Sequence, residues 1–104
     1  MILEIATLDV KPSQREEFQA AFKQAAPIIA GMKGYLAHQI QECIEDKQRF
    51  VLLVWWQTLE DHTVGFRHSV EYQQWRALLH HFYDPFPTVQ HFSLLSGNGT
   101  VPKS

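Results

Sequence analysis

A single cysteine, Cys43, is all the thiol this 104-residue chain carries, so no disulfide closes within it. Small secreted domains lean on such crosslinks, and the lack of one points to a reducing compartment, with the cytoplasm the expected setting. An excess of charge is also missing: nine basic against eleven acidic residues leave a formal net charge of −2. With no basic patch, nucleic acid is not an expected partner. No apolar run approaches the ~20 residues that span a bilayer, so no membrane partner is expected either. The opening MILEIATLDV holds Glu4 and Asp9 and lacks the basic leader of a signal peptide. The five glycines form no phosphate-cradling loop, dinucleotide fingerprint or nucleophile elbow, which removes ATP and NAD chemistry from consideration.

What the chain has in quantity is aromatic surface: seven Phe, three Trp and three Tyr for one small core. The length predicts a single domain, placed at residues 1–96, with a flexible tail of loop composition over 97–104. Ile2 to Val10 is expected as a first strand, stopped by Lys11-Pro12. Ser13 and Glu16 make a capping box, and Phe18, Phe22, Ala25 and Ile29 then recur at helical spacing. Pro27 is expected to bend or end that helix. A more polar second strand follows over Tyr35–Ile44, a turn over residues 45–48, and a third strand from Arg49.

A second helical region is expected from Thr58 to about Phe66, broken at Arg67-His68 and restarted at Ser69 as N-cap. The restarted helix buries Tyr72, Trp75, Leu79 and Phe82 and stops at Asp84-Pro-Phe-Pro87, and Thr88 to Leu95 is the fourth strand. The order β-α-β-β-α-β specifies an α+β, ferredoxin-like sandwich: one antiparallel sheet with both helices on one face.

That expectation sharpens a peculiarity of RFVLLVWWQT, residues 49–58. Phe50, Leu52, Val54 and Trp56 fall on one face of the strand and Val51, Leu53 and Trp55 on the other, so neither face suits water. Helices can cover only one. Leaving the other exposed forfeits several kcal/mol at ~25 cal/mol per Å². A second copy of the same sheet is the economical cover, and a homodimer through the sheet face is expected.

The segment Trp56-Gln-Thr-Leu-Glu-Asp-His62, followed by Gly65-Phe66-Arg67-His68-Ser69-Val70-Glu71-Tyr72-Gln73-Gln74-Trp75, resembles the antibiotic biosynthesis monooxygenase (ABM) domain family. The opening ILEIATLDVKPSQREEF and the later Pro87-Thr-Val-Gln-His91-Phe92 are similar to that family's first strand and last strand. The resemblance implies a dimeric α/β barrel. In one branch it implies oxidation of phenols or anthrones to quinones by O₂ with no cofactor. The positions that branch uses hold Trp56, His62 and Arg76 here, while a third-strand Asn is replaced by Leu52. Haem-degrading relatives use positions that hold Ile5, Phe66 and Arg76, none of which suits haem chemistry.

The chemistry of such a branch asks for a substrate anion in an apolar pocket, because an electron-rich anion can pass O₂ one electron. That needs a base near neutrality, for which His62 has the right range, and a fixed cation, for which Arg76 qualifies. Trp56, Phe66, Leu52 and His91 are the candidate substrate-binding residues. Each has a plainer reading: His62 solvated in a helix's first turn, Arg76 laying its stem along the apolar stripe, Trp56 as core or dimer interface. No metal site is expected, since His80 and His81 diverge by about 100° and the other histidines show no i,i+4 pairing. A non-catalytic ligand-binding or structural dimer, or an isomerase or cyclase on the same barrel, are the competing functions.

Overall fold

Strand alternation organises the molecule. In the computed structural model, which describes residues 1–99, β1 (Ile2–Asp9), β2 (Tyr35–Glu42), β3 (Arg49–Trp56) and β4 (Val89–Ser93) form one sheet in the order β2-β3-β1-β4. Every neighbouring pair is antiparallel. The helices α1 (Arg15–Ala30) and α2 (Val70–Leu79) cover one face, giving the ferredoxin-like arrangement. Ala6, Leu8 and Val10 of the first strand region meet Phe50, Leu52, Val54 and Trp56 of β3 on that face. Phe18, Phe22, Ala25 and Ile29 of α1 and Trp75 and Leu79 of α2 close over them.

The other face answers the question raised by β3. Val51, Leu53 and Trp55 alternate outward and are only partly covered. Around Trp55, the side chains of Met1, Leu3, Ile5, Phe92 and Leu94 line a shallow apolar hollow of about 390 Å³. Phe92 is 47% exposed and Leu95 98% exposed, so this face is apolar and largely open in the single chain.

Ser13 sits at φ 65°, in the left-handed region, so it cannot take the extended backbone an N-cap needs. The helix starts instead after Gln14, which makes no side-chain cap, and Glu16 and Glu17 in the first turn complement the helix dipole. Pro27 does not end α1, which runs on to Ala30; burial of Ala25 and Ile29 on either side outweighs the lost hydrogen bond. Ser69 caps α2 as expected, its Oγ accepting from the Tyr72 N–H at 3.0 Å. That helix ends at Leu79, earlier than the prolines require, and a 3₁₀ turn over His80–Phe82 carries the chain on. Of the tail expected over 97–104, residues 100–104 lie outside the described residues.

Candidate active site

The sheet register places a carboxylate where the core should be apolar. On β1, Glu4 shares the helix-facing side with Ala6 and Leu8 and is 5% exposed. Its cross-strand partners are Val54 on β3 and His91 on β4, which therefore point the same way. Residues directly opposite in an antiparallel pair lie close enough to interact. Trp56, two residues along β3 from Val54, is fully buried and donates from Nε1 to Glu4 Oε1 at 2.9 Å.

A second element reaches the same oxygen. Between β3 and α2 the chain makes a π-helical turn, Asp61–Phe66, whose wide spacing is marked by the Arg67 N–H donating to the His62 carbonyl at 3.1 Å. Thr58 accepts from the Asp61 N–H at 3.2 Å at its start. Gly34, at φ 84°, lets the segment pack closely: a Cβ there would lie 2.1 Å from an Asp61 carboxylate oxygen. Inside this turn His62 and Phe66 both point into the fold. His62 stacks on Trp56 with ring centroids 5.4 Å apart and an interplanar angle of 19°. Its Nε2 lies 3.3 Å from Glu4 Oε1, and its Nδ1 lies 2.7 Å from His91 Nε2.

Burial governs the protonation of this row. It pushes the Glu4 carboxyl above its ordinary value, against the opposing pull of the Trp56 N–H and the Arg67 charge. It lowers His62 to about 3, with Arg67 and His91 adding to the effect. His91 is lowered too, by burial and then by Arg67. His62 is therefore a neutral imidazole at neutral pH, and its 3.3 Å approach to Glu4 is a polar contact rather than an ion pair.

Glu4 and His62 form one end of a cavity of about 370 Å³ between the sheet and α2. Leu52, Phe66 and Trp75 supply apolar wall, and His80 and the exposed Phe86 also line it, their rings 5.1 Å apart. Arg67, just past the π-helical turn, also lines the cavity and joins no salt bridge among the described residues. The arrangement combines a proton-accepting pair, an uncommitted cation and space for a small planar molecule. Glu4 and His91 meet different nitrogens of His62, and no group of three or more possible metal ligands converges on one point among the described residues.

Of the residues singled out from sequence, His62, Leu52 and Phe66 line the cavity, and His91 joins through His62. The reading of His62 as a solvated first-turn residue is corrected: it is 3% exposed, because the π-helical turn rolls it inward. Trp56 is core, anchoring Glu4 from beneath rather than presenting its ring to the cavity. Arg76 does not line the cavity. It is exposed on α2, one residue past the buried Trp75 and off the inward stripe, whereas Arg67 is among the lining residues. Glu4 and Arg67 were missed. Glu4 left a signal, a carboxylate on the even-numbered, otherwise apolar face of β1; Arg67 left none beyond the helix break it occupies.

The fold and site define an α+β protein of the ferredoxin-like class with an enclosed acid–base cluster. Residues 1–78 match the model of the antibiotic biosynthesis monooxygenase family, and the chain belongs to that family. It is 59% identical over 92 residues to the uncharacterized protein YczJ of Bacillus subtilis (strain 168), covering 88% of this chain and 97% of that one. Among solved structures, a Bordetella bronchiseptica protein described by the same family name superposes with a TM-score of 0.87 at 34% identity, covering 91% of this chain and 97% of that one. A Nitrosomonas europaea protein so described gives 0.79 at 21% identity over 92% of this chain and all of that one, a likeness of fold.

Proposed function

We propose that this chain is a cofactor-independent monooxygenase that oxidises a small aromatic or quinol-like substrate with O₂. The observation that carries the proposal is the cavity's polar end: a buried carboxylate and imidazole in contact, beside Arg67, which has no salt bridge among the described residues, against apolar walls. Such a site removes a proton from a phenol or an activated methylene and holds the anion next to a cation. The anion passes one electron to O₂, the resulting radicals combine at carbon, and the hydroperoxide loses water. For an anthrone the sum is anthrone plus O₂ giving anthraquinone plus water.

The working unit of this proposal is a homodimer in the cytoplasm. The open apolar face around Leu53 and Trp55 favours a second copy as its cover, and a lone Cys43 suits a reducing compartment. Among the described residues no helix is long and apolar enough to cross a membrane. O₂ uptake by the metal-stripped protein, with a panel of anthrones and naphthohydroquinones, tests the activity. Saturable uptake that falls roughly 10²-fold in Arg67→Ala, a loss typical of removing one group that stabilises a developing anion, is expected. Uptake at the buffer rate for every compound, beside enzyme-catalysed proton exchange without O₂, would favour an isomerase or cyclase on the same scaffold.

A further inference from the structure

We infer that Glu4, through Oε2, is the base that takes the ligand's proton, and that His62 is a positioning residue with no nitrogen free for a ligand. The inference rests on the reading above that the cavity binds a proton-donating molecule, and it replaces His62 as the expected base.

A neutral imidazole has one N–H and one acceptor nitrogen. His62 Nε2 faces Glu4 Oε1 at 3.3 Å, and a bare nitrogen there would set lone pair against carboxylate. The proton therefore sits on Nε2, facing Glu4. That leaves Nδ1 as the acceptor, and it is occupied by the N–H of His91 Nε2 at 2.7 Å. Both nitrogens of His62 are spoken for.

The carboxylate is in the opposite position. Oε1 accepts from Trp56 Nε1–H at 2.9 Å and has His62 Nε2 beside it at 3.3 Å. Oε2 has no hydrogen-bond partner among the described residues, yet no sealed side-chain oxygen or nitrogen there lacks one. Oε2 is thus reachable, and the space Glu4 borders is the cavity. Burial raises its proton affinity, which suits a weakly acidic phenol or methylene better than an ordinary surface carboxylate would. The charged and titratable groups around it are His62 and Arg67 from the π-helical turn and its exit, His91 from β4, and Tyr72, His80 and Tyr83 across the cavity.

The step moves one proton. The ligand's O–H or C–H bond breaks, the Oε2–H bond forms, and the electron pair stays on the ligand as a phenolate or enolate beside Arg67. Nothing is oxidised at this stage. Trp56 and His62 hold the carboxylate plane while its charge is neutralised, and His91 fixes the tautomer of His62.

Two measurements on the full chain test this without O₂. The first is ¹⁵N and ¹³C NMR titration of the labelled protein, expected to show His62 as the neutral Nε2–H tautomer from pH 5 to 8. The second is anaerobic hydrogen–deuterium exchange at the methylene of anthrone in D₂O. Wild type should accelerate it, and Glu4→Gln, which keeps an oxygen to accept from Trp56, should lose roughly 10²-fold or more. Anthrone binding, read by tryptophan fluorescence quenching, should stay near wild type in that variant. Glu4→Asp should recover part of the rate, and His62→Gln should shift the pH profile of exchange rather than abolish it. An Nδ1–H tautomer of His62, wild-type exchange in Glu4→Gln, or a wild type that binds anthrone without accelerating exchange would each overturn the assignment. Exchange without O₂ uptake would leave Glu4 as the base and refute oxygenation alone.

Discussion

Acid should loosen this fold through His62, and the size of the effect follows from its burial. The unfolded chain takes up a proton on this imidazole near pH 6.5, whereas in the fold the group stays neutral down to about 3. Its contribution is therefore fully present above pH 6.5 and is lost progressively as pH falls towards 3. At pH 5 the unfolded state has gained about 1.5 pH units of advantage, which at ~1.4 kcal/mol per unit is about 2 kcal/mol. Glu4 works against this. Its raised folded affinity for a proton favours the folded state as pH falls through that raised value towards 4.5. His38, His80 and His91, also lowered by burial, work with His62. The wild-type slope is thus a mixture, and the comparison with His62→Gln isolates the term. In urea unfolding at pH 8, 6.5 and 5, the gap between the two proteins should narrow by about 2 kcal/mol at pH 5, on the order of 1 M in midpoint. Parallel curves would refute the reasoning, because they would mean that His62 accepts a proton in the fold as readily as outside it.

Three further expectations concern the scaffold. Ser69→Ala removes the acceptor for the Tyr72 N–H and should cost about 1 kcal/mol in urea unfolding. Gly34→Ala puts a Cβ against Asp61 at a backbone angle of 84° and should lower stability by roughly 1–3 kcal/mol, read as a fall in Tm. Leu53→Asp, on the open face of β3, should leave the circular dichroism spectrum unchanged and convert a dimer to a monomer in sedimentation velocity at micromolar concentration. A wild type that sediments as a monomer would remove the role proposed for that face.

The fold was legible because the strong patterns were physical ones. Helical spacing of Phe18, Phe22, Ala25 and Ile29, and the two-faced apolar run of β3, left few alternatives. The site was less so, and each miss has a cause. Arg76 came from the family resemblance, while Arg67 stood in the expected break between two helical segments, where no helical period assigns a direction. The π-helical turn at Asp61–Phe66 sets that direction, and nothing in the composition of DHTVGF announces it. Glu4 was visible as a charge on the inward face of β1, but its meaning depends on two partners 52 and 58 residues away in sequence. Tertiary register, which no local period encodes, brings them together. Ser13 shows the reverse failure: a capping box present in sequence, with the backbone at φ 65° unable to use it.

The central claim is that this cavity adds oxygen from O₂ to an anion it has itself generated. Its most direct test is a turnover of anthrone by the metal-stripped protein under ¹⁸O₂ in ordinary water, with the quinone read by mass spectrometry. The account predicts one ¹⁸O atom in each enzyme-formed quinone, with formation lost in Glu4→Gln. Anthrone that binds in the cavity and exchanges its methylene protons, yet returns no ¹⁸O-labelled quinone above the buffer control, would contradict it.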